Sequence, residues 1–189
     1  MKTLRELLLG MEDPRRVALL AIYDRHRELF HYATGSGHNH QAWEGGYADH
    51  IADCIRVNLL TWEALNAYRP LGFTADSATI VLFFHDIEKP FRYGPVGHAY
   101  CWPYRNRVYH IGGEEYAAWE FVKNEILADL ESLYGFELTE DEHNALRYTH
   151  GEGSDHQKLE RVSCPLAAHV HHCDNISARI YHDDGRGQG

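Results

Sequence analysis

An unbroken apolar run, Ile80-Val81-Leu82-Phe83-Phe84, delivers the adjacent pair His85-Asp86 and is followed by Ile87-Glu88-Lys89-Pro90. Burying an imidazole and a carboxylate behind such a run costs several kcal/mol unless partners satisfy them. A metal ion satisfies both at once, because its ligands are neutral imidazole nitrogen and ionised carboxylate oxygen. A core histidine bonded to its neighbouring aspartate is the plainer use of the same pair, and the pair alone favours it.

Four further residues change the balance: His50, His110, His150 and Asp174. In chain order the set reads His, His-Asp, His, His, Asp, which is six nitrogen and oxygen donors and no thiolate. That is too many for one tetrahedral zinc. It fits two five- or six-coordinate ions sharing Asp86 as a bridge, a ligation open to Mn, Fe, Co, Ni or Zn.

The elements that must position these groups are helical. Asp13-Pro14 is a start signal, and Val17, Leu20, Ile22 and Leu29 recur at near-helical spacing, which predicts a helix over about Pro14 to His31. The small, polar segment Ala33 to His40 reads as a loop, and it carries His38 and His40 either as a pocket rim or as solvated side chains. Gly45-Gly46 opens a second helix that runs to about Tyr68, with His50, Cys54 and Val57 on one face and Ile51, Ile55, Leu59 and Leu65 beside them. Thr74 to Asp76 caps a third helix bearing the His-Asp pair, which Pro90 stops.

About 20 residues without periodicity follow, Phe91 to Tyr109, a length that in compact domains marks a lid or binding loop. Lys89, Arg92, Arg105 and Arg107, interleaved with aromatics that include Tyr104, suit phosphate and a stacked base, although an ordered surface loop has the same composition. A helix over Glu114 to about Tyr134 is stopped by Gly135, and Thr139-Glu140-Asp141-Glu142 is a capping box for the next. His150 then falls at a helix C-terminus, and Pro165 begins a last helix containing Asp174. The expected class is all-α, a bundle of about six or seven helices, with one domain over residues 1–182 and a flexible tail over 183–189.

The totals bound the partners. A formal net charge of -10 argues against holding duplex nucleic acid by phosphate neutralisation. Two divalent ions would bring it to about -6 and concentrate positive field in the site, which suits a small anionic substrate. No run approaches the roughly 20 apolar residues of a membrane span, and Met1-Lys2-Thr3-Leu4-Arg5-Glu6 is not a signal peptide. Four cysteines without a CxxC pair fit free thiols, so a cytoplasmic protein is expected.

These motifs together resemble the HD superfamily of metal-dependent phosphohydrolases. Gly45-Gly46-Tyr47-Ala48-Asp49-His50 is similar to the family's "GG-L-x-x-H" helix, and His85-Asp86-Ile87-Glu88-Lys89-Pro90 to "HDIGKP". The similarity is greatest to the HD domain of bacterial 3′→5′ exoribonucleases. His38-Asn39-His40 matches their His-His pair, His150-Gly151-Glu152 their "HG-E" segment, and Ala168 to Arg179 their "LH-x-x-D-N-L-D-A-R". The resemblance spans about Thr34 to Arg179. Glu88 replaces the family's glycine, and the exonucleases' OB-fold RNA-binding domain has no counterpart in this sequence, so RNA degradation is not carried over.

The resemblance implies hydrolysis of a small phosphoester, a nucleotide above all, as a phosphomonoesterase or phosphodiesterase. His50, His85, Asp86 and Asp174 would hold one ion, and Asp86, His110 and His150 a second, with His98 the substitute for His110. Asp86 and Lys89 would carry the catalytic roles. Lys89, Arg92, Tyr104, Arg105, Arg107, His38 and His40 would contact substrate. A mixed-valent di-iron oxygenase and a degenerate, nucleotide-binding sensor are the two alternatives on the same scaffold.

Overall fold

A computed structural model describes residues 1–37, 40–93, 109–111, 114–116 and 119–181; the side chains of residues 92, 93, 109–111, 114–116 and 119–121 are outside the description. The protein is all-α, built on a central helix that is apolar all round. This helix, α5 (Ala75–Phe84), buries every residue from Ala78 to Phe84. Such a helix needs cover on all sides, and α4 (Gly46–Tyr68), α8 (Glu140–Tyr148) and α9 (Pro165–Ile180) supply it, with α9 also packed on α4 and α8. The shorter α1 (Leu4–Leu9), α2 (Arg16–Arg25), α3 (Arg27–Tyr32), α6 (Glu88–Tyr93) and the longer α7 (Trp119–Tyr134) complete the α-helices among the described residues, beside one 3-10 turn at Gly153–Asp155. No helix among them is long and apolar enough to cross a membrane.

The start signals act as expected where a side chain reaches its amide. Thr74 Oγ1 accepts from the Ser77 amide at 3.0 Å. Thr139 and Glu142 form the reciprocal capping box of α8, and Pro165 sits in the first turn of α9. Gly135 leaves α7 at a φ of +65°, a conformation that favours glycine.

Five sequence expectations are corrected. The helix predicted over Pro14 to His31 divides at His26, and its buried face is Ala18, Leu19, Ile22 and Tyr23, leaving Val17 67% exposed. In α4 the buried face ends at Asn58; the helix outruns the core, so Leu59 and Leu65 are exposed. Pro90 does not stop the helix of the His-Asp pair: α5 ends at Phe84, the chain turns through His85 to Ile87, and Pro90 lies in the first turn of α6, where its missing N–H costs nothing.

The remaining two concern the segment before α7. Not every element is helical, because Tyr109–Ile111 (β1) pairs antiparallel with Glu114–Tyr116 (β2), Tyr109 opposite Tyr116 and Ile111 opposite Glu114. Glu114 therefore opens no helix, and α7 begins at Trp119. Two glycines after the β-prone run Val108 to Ile111 are a hairpin signal that outweighs the helix propensity of Glu114-Glu115. The expected tail at 183–189 lies outside the described residues.

Candidate metal centre

Four helix segments deliver the donors. His50 projects from the buried face of α4, and its Nδ1 lies 2.9 Å from Ser177 Oγ on α9. His85 follows the last turn of α5 and donates from Nδ1 to the Leu82 carbonyl at 2.7 Å. The carbonyl, an acceptor only, requires a hydrogen on His85 Nδ1, and both contacts turn Nε2 toward the centre, the arrangement that metal-binding imidazoles use. Asp86 comes next in the chain, Asp174 comes from α9, and His150 stands just beyond α8.

These groups converge. His50 Nε2 is 3.3 Å from His85 Nε2 and 3.3 Å from Asp174 Oδ1. His85 Nε2 is 3.2 Å from Asp86 Oδ2 and 3.6 Å from Asp174 Oδ1. His150 Nε2 approaches from the open side, 3.6 Å from Asp86 Oδ1 and 3.9 Å from Asp174 Oδ2. Donors each about 2.0–2.2 Å from one ion stand about 3.0–3.5 Å from each other, so these separations are close to the edges of a coordination shell. Two groups here could hold an ion: His50, Cys54, His85 and Asp174, all buried, and His85, Asp86 and His150 toward solvent.

Three observations test the fit. Asp86 Oδ2 is buried and has no hydrogen-bond partner, which is costly for a carboxylate oxygen. A cation already stands on that oxygen, since Lys89 Nζ lies 2.5 Å away as an ion pair without hydrogen-bond geometry. The donors are imidazole and carboxylate, the chemistry that first-row divalent ions accept. The residues fit a metal.

Charge in the ion-free chain follows from the same crowding. Burial pulls His85 down, but Asp86 and Asp174 outweigh it and raise its pKa to about 10. His50 and His150 are lowered, chiefly by burial. Burial opposes ionisation of Asp86 and Asp174 too, yet the facing imidazoles hold both below the usual carboxylate range. A proton on His85 thus places one positive charge between the two carboxylates. Glu88 is half-buried, and desolvation of its carboxyl together with the nearby Asp86 charge raises it to about 7.

Cys54, on the same face of α4 as His50, also comes near the centre. Its Sγ is 3.8 Å from His50 Nε2 and 3.9 Å from Nδ1, so it rests against the flank of the ring and away from the Nε2 lone pair. Burial also holds the thiol well above its usual value. It packs beside the centre as a neutral thiol.

Beside the donors opens a cavity of about 510 Å³ lined by His40, Asp86, Lys89, His150, His171, Asp174, Asn175, Ala178 and Arg179. His40 reaches it from the loop before α4, its ring 5.2 Å from that of His50. Burial and neighbouring Lys89 lower its pKa to about 4, so it is neutral near pH 7. Two glycines make that loop possible. Gly45 has a φ of +81°, and a Cβ on Gly46 would stand 1.9 Å from the Gln41 carbonyl oxygen. Gln41 in turn donates to Ser177 Oγ at 3.3 Å, so loop, α4 and α9 are locked together behind His50.

Of the predicted site residues, the structure gathers His50, His85, Asp86, Lys89, His150, Asp174 and His40 around one centre. His110 lies on β1 and Arg92 on α6, with both side chains outside the described residues, as are His38, His98, Tyr104, Arg105 and Arg107 altogether. Ser177, Gln41 and His171 were missed. The signal for part of this was present: His171, Asp174, Asn175 and Ala178 recur at i, i+3, i+4 and i+7, one helix face. No family model, curated protein or solved structure matches the chain.

Proposed function

We propose that this protein is a metal-dependent phosphohydrolase of the HD type, acting on a nucleotide or another small phosphoester. The observation that carries the reading is the convergence of three imidazole Nε2 atoms and two carboxylates from separate helices beside an open polar cavity. His50, His85 and Asp174 would hold one ion, and Asp86 and His150 would complete a second position beside it. A bound divalent ion supplies Lewis-acid polarisation of a phosphoryl oxygen and a water acidic enough to attack at neutral pH.

The protein's own residues do the rest. The Leu82 carbonyl fixes a hydrogen on His85 Nδ1, and Ser177 holds the orientation of the His50 ring, so both Nε2 atoms already face the centre. Lys89 brings a positive charge to the cavity floor, where it can follow charge from Asp86 to a phosphoryl oxygen. Neutral His40 offers a hydrogen-bonding edge to the substrate without repelling a metal.

The test is a matrix of Mn, Co, Ni, Fe and Zn against nucleotides and a generic phosphodiester, with ion stoichiometry and oxygen uptake measured on the same sample. Metal-dependent release of phosphate or an alcohol, lost in Asp86→Ala together with bound metal, is the expected result. Oxygen consumption without phosphoester turnover would move the protein to the di-iron oxygenase class, and an Asp86→Ala variant that kept metal and turnover would refute the ligand assignment.

A further inference from the structure

We infer that Arg179 is the substrate-phosphate receptor of this centre, a role that the sequence assigns to arginines elsewhere. The inference rests on the phosphohydrolase reading for its ligand class and on the cavity for its geometry. The cavity lining contains two cations, Lys89 and Arg179. Lys89 is already committed, 2.5 Å from Asp86 Oδ2. Arg179 has no hydrogen bond or ion pair among the described residues.

That freedom sets it apart. Arg5, Arg15, Arg16, Arg27, Arg56 and Arg147 all donate to carboxylates, carbonyls or a histidine. Arg69 and Arg161 are also without partners among the described residues, but neither lines the cavity. Arg179 lies five residues beyond Asp174 on α9 and makes no ion pair with it: positions five apart are not neighbours on a helix, and the Asp174 oxygens face the imidazoles of His50, His85 and His150. Asn175 and Ala178 continue the same helix face from the metal donors to Arg179. A phosphate with one edge toward the donors would present its remaining oxygens to this side, and a guanidinium matches two such oxygens with parallel N–H bonds.

The test measures binding of inorganic phosphate to the Mn-loaded full chain by titration calorimetry. Variants Arg179→Gln, Arg179→Lys and the control Arg161→Gln are compared with the parent. Loss of a charge-assisted contact predicts phosphate binding weaker by about ten-fold or more in Arg179→Gln. Arg179→Lys should recover part of the loss, Arg161→Gln should match the parent, and all four should carry equal metal. Phosphate binding by Arg179→Gln within two-fold of the parent overturns the inference, as does a metal-loaded parent that binds no phosphate. Turnover is read separately. Arg179-dependent phosphate binding in a protein that hydrolyses no phosphoester would remove the proposed reaction and leave the anion receptor in place.

Discussion

Two buried charge clusters lie in this molecule, and they are finished to different degrees. In the first, Arg15 meets Asp13 and the fully buried Glu142. Its five N–H groups all donate: to Glu142 Oε1 and Oε2, to Asp13 Oδ1 and Oδ2, and to the Glu137 carbonyl. Glu142 also accepts from the Thr139 amide at 2.9 Å, closing the capping box of α8. In the second cluster, His50, His85, Asp86, His150 and Asp174 face one another with their Nε2 atoms inward and one carboxylate oxygen without a hydrogen bond. Charges that are saturated by their own chain hold elements in place. Charges left short of one cation at a shared point are prepared to receive one. Each cluster sets two carboxylates against nitrogen bases; the state of satisfaction separates a strut from a site.

The comparison breaks most visibly at Arg15. Arg15→Met leaves Glu142 buried without its counter-charge, which costs about 3–5 kcal/mol. Chemical denaturation should show that loss equally with and without metal. The paired change Arg15→Met with Glu142→Leu should recover most of it, since an apolar pair of similar volume often equals a buried ion pair. A single variant as stable as the parent would show that the cluster is no strut.

At the open cluster the expected dependence is the reverse. An ion that binds only the folded chain stabilises it by about 2.7 kcal/mol at a free concentration of 100 times its dissociation constant. Chelation should remove that increment from the parent. His85→Ala and Asp86→Asn should lack it from the start and show the same melting temperature with and without Mn. An increment that survives in both variants would place the ion elsewhere.

Ser177 sharpens the contrast, because its hydroxyl reaches the centre through His50 Nδ1. Removing its hydroxyl takes away the partner of Nδ1 and frees the ring to turn. Second-layer partners of ligand histidines typically contribute ten- to a hundred-fold to metal affinity, so Ser177→Ala should weaken Mn binding by about ten-fold. The effect should be small in chelator, where no ion demands a fixed Nε2. Equal metal affinity in Ser177→Ala would mean that α4 alone orients His50.

How much of this was legible beforehand divides along the same line. The His-Asp pair, His50, His150 and Asp174 could be read because each ligand type sits at a recognisable helix end or motif. Pro165, Thr139 and Thr74 announced their helices by local chemistry that needs no tertiary knowledge. The supporting layer was illegible for a physical reason: Ser177, Gln41 and the Arg15–Glu142 pair are separated by over a hundred residues from what they bond. A polar residue on a helix looks identical in sequence whether it meets solvent or a buried imidazole. The hairpin at Tyr109–Tyr116 failed differently, since Glu114-Glu115 favours a helix until Gly112-Gly113 is weighed as a turn.

The smallest expected effect returns to the closed cluster and its outer member. Asp13 accepts from the Arg15 side chain, and that hydrogen bond holds its pKa below the ordinary value. A carboxylate whose folded pKa is depressed contributes stability above its unfolded pKa, near 3.8, and loses it as pH falls through the lower folded value. Asp13 is only partly buried, so solvent screening should keep this contribution under about 1 kcal/mol. Asp13→Asn keeps an acceptor for the Arg15 amide and removes only the charge. Its deficit against the parent should therefore be present at pH 7 and shrink on acidification below about pH 4. A deficit that stays constant down to pH 2 would assign the role of Asp13 to the turn that starts α2, with its charge playing no part.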